Sequence, residues 1–199
     1  CKEICPAEID MPMMIAEVKH RGLASHPQSF INRVMMAADA FAAIGSMTAP
    51  LANLLLNNKL FRAFLEGVTG IDRRPILPRF ERRSLRARFH SRPATRESKG
   101  DARKVIFFAD IYANYNAPAL GVAAIERLEA AGCEVAFPDQ KSSGYPYIAY
   151  GELDKAVSVA RWNVERLAPY AKQGYDIVSP EPTAVYALKK SYLTLLDAD

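Results

Sequence analysis

Lys104-Val-Ile-Phe-Phe-Ala109 is an unbroken apolar run of strand-forming residues. A strand without polar alternation is one buried on both faces, as in a parallel sheet covered by helices. The flanking pattern agrees. Residues 117–131 place Leu120, Ala123, Ala124, Ile125 and Leu128 at helical spacing before Gly132, and 133–137 form a second strand that Pro138 stops. A long helix follows over 152–172 with Leu153, Ala156, Val157, Ala160, Val164 and Leu167 inward; Gly174 ends it. Residues 175–178 make a third strand and 182–196 a last helix. Strands alternating with helices through short connections predict right-handed crossovers and a small parallel sheet.

In such sheets functional groups gather beyond the carboxyl ends of the strands. Loops 110–116, 139–150 and 179–184 leave those ends. They bring Asp110, Tyr112, Asn114, Tyr115, Ser142, Ser143, Tyr145, Tyr147, Glu181 and Thr183 to one rim. The middle loop, Lys141-Ser-Ser-Gly-Tyr-Pro-Tyr-Ile-Ala-Tyr-Gly151, is too aromatic for a linker and too polar for a core. Its adjacent hydroxyls fit a turn bonding its own backbone, a small-ligand pocket or a protein contact. Nucleophilic catalysis needs a nearby base, and His20, His26 and His90 all precede this half of the chain.

The first half is helical. Apolar periodicity predicts helices over 11–22, 29–44, 48–56 and 59–68, a stretch over 71–80 interrupted by Pro75 and Pro78, and a short helix over 84–89. The fold class is therefore an all-α N-terminal part followed by an α/β domain with a small parallel sheet. The expected units are 1–90, a basic linker over 91–103, and 104–199. Between Arg73 and Arg103, eleven Lys/Arg against three acids give that segment +8 and leave −4 for the rest of a chain with net charge +4. With few interleaved aromatics and no nucleic-acid motif, this basicity suits a solvated linker or an acidic partner better than nucleic acid. The six methionines fall at helical spacings and read as core, and Trp162 on the long helix reads as a packing residue. No run of eighteen apolar residues occurs. Three cysteines make no disulfide framework; Cys133 reads as a small buried residue, and a first residue of Cys1 suggests a piece of a longer polypeptide.

Two features carry a family resemblance. Cys1-x-x-x-Cys5-Pro6 is similar to the last two cysteines of a bacterial ferredoxin run. Phe107-Phe-Ala-x-x-Tyr112-x-Asn114-Tyr-Asn116, Gly144-Tyr-Pro146, Asn163-Val-Glu-x-Leu167, and Tyr175-Asp-Ile-Val178 with Pro182-Thr183 resemble the cysteine-rich CCG domain of iron–sulfur oxidoreductases. That family includes the iron–sulfur subunits of anaerobic glycerol-3-phosphate dehydrogenases, of glycolate and lactate oxidases, and of heterodisulfide reductases. Its pattern places cysteines where this chain has Ile111, Ser142, Ser143, Glu181 and Ala184. Serine is a far poorer iron ligand than thiolate, and isoleucine and alanine offer no donor.

The resemblance implies Cys1 and Cys5 as metal ligands of [4Fe-4S] clusters in the intact protein, incomplete in this chain, with no cofactor expected in 104–199. The degenerate cluster site would comprise Ile111, Tyr112, Asn114, Ser142, Ser143, Gly144, Tyr145 and Ala184. The implied role is an electron-transfer component of a flavin-linked dehydrogenase acting on a 2-hydroxy acid or glycerol 3-phosphate, a subunit or fragment and not a self-sufficient enzyme. Its partners would be a flavoprotein dehydrogenase and a quinone or other carrier. Its place would be the cytoplasm, at the inner face of the membrane where partners hold it there. The alternative is a cluster-free interaction or small-ligand module of such a complex.

Overall fold

The computed structural model describes residues 6, 9–92 and 102–196. Cys1 and Cys5 lie outside the described residues, so their expected ligand role is not addressed by the fold.

The sheet has three parallel strands in the order β2-β1-β3: β1 (Lys104–Phe107) is central, with β2 (Glu134–Ala136) and β3 (Asp176–Val178) on either side. Ile106 sits opposite Ala136 on one side and Ile177 on the other. The apolar run explains the layers, because successive side chains point to opposite faces. Phe107 and Ala109 pack with Leu85, Ala113, Ile125 and Phe137, beneath α7 (Pro118–Ala130). Ile106 and Phe108 pack on the other face with Leu167 of α9 (Leu153–Lys172) and with Ala184 of α10 (Pro182–Tyr186).

The helical part begins with α1 (Met11–Gly22), where Asp10 accepts the Met13 N–H and Pro12 occupies the first turn. The single helix expected over 29–44 is two: α2 (Phe30–Met36) and α3 (Ala38–Met47), broken at Ala37. Neither Pro nor Gly causes the break. The two pieces seat on different surfaces, α2 on the later helix α8 (Tyr145–Tyr150) and α3 on the turn after β1. Gly45 of α3 faces the Phe80 ring so closely that a Cβ would meet it at 2.7 Å, and Ser46 donates to the Glu81 carbonyl. Helices α4 (Ala49–Asn57) and α5 (Lys59–Thr69) follow, and buried Arg62 holds the proline-containing strap by donating to the carbonyls of Asp72 and Pro75, both at 2.9 Å.

Helix α6 (Leu85–His90) contributes Leu85, fully buried, to the core under β1. A Cβ on Gly121 would lie 2.2 Å from a Leu85 methyl, so only glycine lets α7 approach α6 this closely. The stretch before the basic linker is thus packed into the α/β core. Arginines of this stretch and of the two ends of the linker are also engaged: Arg88 pairs with Glu81 at 2.8 Å, Arg92 with Glu129 at 2.5 Å and Arg103 with Asp176 at 2.8 Å.

Three segments expected as loops or plain helix are shaped differently. The turn after β1 is a π-helical turn, Tyr112–Asn116, closed by the Ala117 N–H on the Tyr112 carbonyl at 2.9 Å. The second half of the 139–150 loop is α8, bracketed by left-handed Gly144 (φ 70°) and Gly151 (φ 80°). The last helix, expected over 182–196, widens into a π-helical turn (Ala187–Ser191) between α10 and α11 (Tyr192–Leu195).

Helix α8 is also where the helical part meets the α/β part. Its last carbonyls lack intrahelical partners, and side chains from α1 and from the connection just before α2 supply them. Lys19 Nζ donates to the Ala149 carbonyl at 2.7 Å, Gln28 Nε2 to that of Tyr150 at 2.6 Å, and His20 Nδ1 lies 3.0 Å from that of Gly151. A Cβ on Gly151 would come within 2.9 Å of the His20 backbone nitrogen, at a φ that side chains disfavour. Gly151→Ala should therefore destabilise the chain by roughly 1–3 kcal/mol and loosen α1 from α8. Chemical denaturation with amide exchange of residues 19–28 checks this; a fully stable variant with unchanged exchange would contradict it.

Candidate functional site

The three predicted loops do converge. Asp110, at the end of the central strand, is buried, and its Oδ1 accepts the N–H groups of Ile111 (2.9 Å) and Ser143 (3.1 Å). Glu181, in the loop after β3, accepts the Ala113 N–H at 3.0 Å. Each strand end is thereby tied to the β1 turn through a carboxylate and a backbone amide.

The Ser142-Ser143 backbone is held from beneath. Asn163, fully buried on α9, accepts the Lys141 N–H at 2.9 Å and donates Nδ2 to the Ser142 carbonyl (3.1 Å) and to the Tyr192 hydroxyl oxygen (2.9 Å). Tyr192 in turn donates its hydroxyl to the Ser143 carbonyl at 3.0 Å. Asn163 uses both amide protons and its oxygen, and the tyrosine hydroxyl both donates and accepts, so this buried network is satisfied. Burial pushes the Tyr192 phenol up to about 12, which keeps it a hydrogen-bond donor throughout the physiological range.

The side chains of the predicted site then divide. Ser142 faces outward and donates to Asp39 Oδ2 of α3 at 3.2 Å. Ser143 is buried, and its hydroxyl accepts the Tyr145 N–H at 3.4 Å. Gly144 turns the chain into α8. Tyr145 packs with Ile148 and Ala16 and with Tyr192. Asn114 accepts the Arg86 backbone N–H at 3.1 Å, Tyr112 is half exposed, and Ala184 lies in the core beneath Phe108. Ile111 contributes only its backbone amide to the network.

Sequence reasoning missed Asp39 and Arg86, both from the helical half. Arg86 pairs with Asp139, donates to the Gln140 carbonyl at 2.9 Å, and lies over the Phe137 ring at 5.5 Å. Nothing local in the sequence points to either residue, since both act on the 139–142 segment across more than fifty positions. Tyr192 reads in the sequence only as part of a helix. Asn163 carries a usable signal: it is a polar residue in the apolar stripe between Ala160 and Leu167, and buried polar groups must find partners.

Beside the network lies a pocket of about 170 Å³ lined by Asp39, Arg86, Asp110, Tyr115, Gln140 and Ser142, among others. Burial raises the Asp39 carboxyl above the ordinary carboxylate range, and the nearby Asp110 charge adds to this, while the Ser142 hydrogen bond opposes it. Burial likewise raises Glu181, against the backbone amides that favour its charge.

The donor set here does not suit an iron–sulfur cluster. The converging loops carry hydroxyls, carboxylates and apolar side chains where thiolates would be required, and the described residues contain no group of three or more His, Cys, Asp or Glu able to hold a metal ion. Cys133, half-buried, precedes β2 at the opposite end of the strands.

The chain is 29% identical to a subunit of the anaerobic glycerol-3-phosphate dehydrogenase of Escherichia coli (strain K12), over 196 residues that make up 98% of this chain and 49% of the relative. The identity and coverage are the same for the corresponding subunit from Escherichia coli O157:H7. The chain thus spans about half the length of the curated relatives it matches. No family model matches the chain, and no solved structure does.

The raised Asp39 carboxyl has a consequence for stability. A carboxyl that binds its proton more tightly when folded contributes stability that is fully present below its unfolded pKa and is lost as pH rises through the folded value. Asp39→Asn retains an acceptor for Ser142 and has no charge to bury. Its thermal midpoint should fall less than that of the parent chain between mildly acidic and neutral pH; identical slopes would contradict the burial of Asp39.

Proposed function

We propose that this chain is part of an iron–sulfur electron-transfer component of a dehydrogenase, of the glycerol 3-phosphate or 2-hydroxy acid type, and that its α/β half carries no cluster. The observation that carries the reading is the match to the glycerol-3-phosphate dehydrogenase subunit, which runs through both the helical and the α/β parts of the chain.

In this reading Cys1 and Cys5 are thiolate ligands of [4Fe-4S] clusters, whose remaining ligands come from the rest of the intact polypeptide. Such a cluster needs four thiolates, and the only other cysteine here is Cys133. The clusters would take electrons one at a time from the flavin of a dehydrogenase partner and pass them to a quinone or another carrier. The component would work in the cytoplasm, held at the inner face of the membrane through its partners. The protein's own residues supply position: the side chains of Lys19, His20 and Gln28 fasten the helical part to α8, and α8 continues directly from the Ser142-Ser143-Gly144 turn.

The α/β half would serve as a docking and ligand-binding module. The rim backbone donates to Asp110 and Asn163 and accepts from Tyr192, which supports this because these hydrogen bonds provide the ordering that metal–thiolate bonds would otherwise supply. Exposed apolar side chains along α3 to α5, including Ile44, Met47, Leu54, Leu60 and Phe64, are consistent with a helical part that is covered in an assembled complex. Among the described residues no single helix is long and apolar enough to cross a membrane.

Iron and acid-labile sulfide analysis of the intact protein, purified anaerobically, tests both parts of the proposal. Cys5→Ser should lower the iron and sulfide content, whereas replacing Ser142 and Ser143 together by Ala should leave it unchanged. Intact protein without iron would overturn the electron-transfer role. Iron lost on replacing the two serines would overturn the cluster-free assignment.

A further inference from the structure

Helix α5 is oriented against its own polarity. Its Arg62 is buried, only 7% exposed, and donates to the carbonyls of Asp72 and Pro75 in the strap. Leu60, Phe64 and Val68, four residues apart, form a stripe on the opposite side of the helix. That stripe faces solvent, with Leu60 82% and Phe64 63% exposed. An amphipathic helix ordinarily does the reverse, burying its apolar stripe and leaving its charges in water. Helix α4 packs against α5, and α3 against α4. Their exposed Ile44, Met47, Leu51 and Leu54 extend the apolar surface beyond what a lone soluble chain ordinarily leaves uncovered.

A glycine in the same stripe says what kind of surface covers it. Gly67 lies three residues beyond Phe64 and is exposed. Among the described residues a Cβ there would meet no atom within 4 Å, and its φ is not positive. Neither space nor backbone conformation thus calls for glycine at a helical position where it weakens the helix. A glycine on a helix surface lets the backbone of a second helix approach closely. Lipid fits less well. Helices that lie in a membrane surface carry Lys or Arg along their polar face and Trp or Tyr at its border. Residues 38–69 contain no Trp or Tyr, and of their cations, Lys59 and Arg62, the second is buried.

We propose that this face binds a second copy of the protein, with α5 of one protomer crossing α5 of its partner at Gly67 about a twofold axis. A twofold contact sets each residue near its own copy, so an exposed charge there would repel itself. Leu60, Phe64, Gly67 and Val68 carry none. At roughly 60–120 Å² for each large apolar side chain, this stripe and the side chains of α3 and α4 supply several hundred Å² per copy. That is on the scale of the roughly 800 Å² that each partner contributes to a standard interface. The dimer does not depend on where the clusters sit.

Sedimentation of the intact protein over a range of concentrations tests this. A dimer that dissociates in the micromolar range or below is expected. Phe64→Gln should weaken dimerisation about tenfold or more, with unchanged circular dichroism and unchanged iron content. Gly67→Gln should weaken it as well, while the dilute monomer stays as stable as the parent or becomes more so, since Gln favours the helix and meets nothing within the chain. An intact protein that is monomeric at every concentration, its stripe covered by its own chain or by a dehydrogenase partner alone, would overturn the proposal. So would a dimer indifferent to both substitutions, or Phe64-dependent flotation on phosphatidylglycerol vesicles in place of dimerisation. Failure of the cluster readings would register separately, in the iron and sulfide content.

Discussion

Two buried side chains, Asn163 and Tyr192, determine the shape of the rim. Between them they engage the Lys141 N–H and the carbonyls of Ser142 and Ser143, while Asp110 takes the Ser143 N–H. A loop that enters a protein interior must satisfy its backbone polar groups. Without this network the turn could not lie over the end of the sheet, and α8 would not start at Gly144. Everything that surrounds the candidate site is referred to that turn. Asp39 reaches it from α3, Tyr145 packs beneath it, and the helical part holds the far end of α8.

The coupling between the two parts of the chain follows from the same economy of hydrogen bonds. The C-terminal carbonyls of a short helix need outside donors, and those of α8 receive them from Lys19, His20 and Gln28. Leu85 provides a second tie, since α6 precedes the basic linker yet packs beneath the central strand. Movement of the helical part relative to the sheet would therefore expose both polar and apolar groups. Such a seat holds α1 and the start of the helical part in a fixed relation to the α/β half.

Much of this was legible in the sequence, for identifiable reasons. The central strand could be read because its burial on two faces leaves an unbroken apolar run, and α7 and α9 because their apolar residues recur at helical spacing, although Leu120 and Val164, expected inward, are exposed and Gly121 and Asn163 are buried instead. The convergence of the three loops followed from strand direction alone. The division of residues 29–44 into α2 and α3 was hidden, because it arises from two differently placed packing partners and leaves no Pro or Gly behind. Helix α8 was hidden within an aromatic loop, although Gly144 and Gly151 mark its ends and Pro146 suits its first turn. The candidate site was half legible. Ser142, Ser143 and Asn114 could be placed by position, but Asp39 and Arg86 reach them through contacts spanning 103 and 28 residues, which no local pattern encodes.

The central claim is that hydrogen bonds, and not a metal cluster, order the Lys141–Ser143 turn. Amide hydrogen exchange of Lys141 and Ser143 in the chain freed of iron tests it most directly. Protection approaching that of Ile106 in the central strand is the expected result. Exchange at the rate of an open loop, with protection gained only when an iron–sulfur cluster is reconstituted, would contradict it.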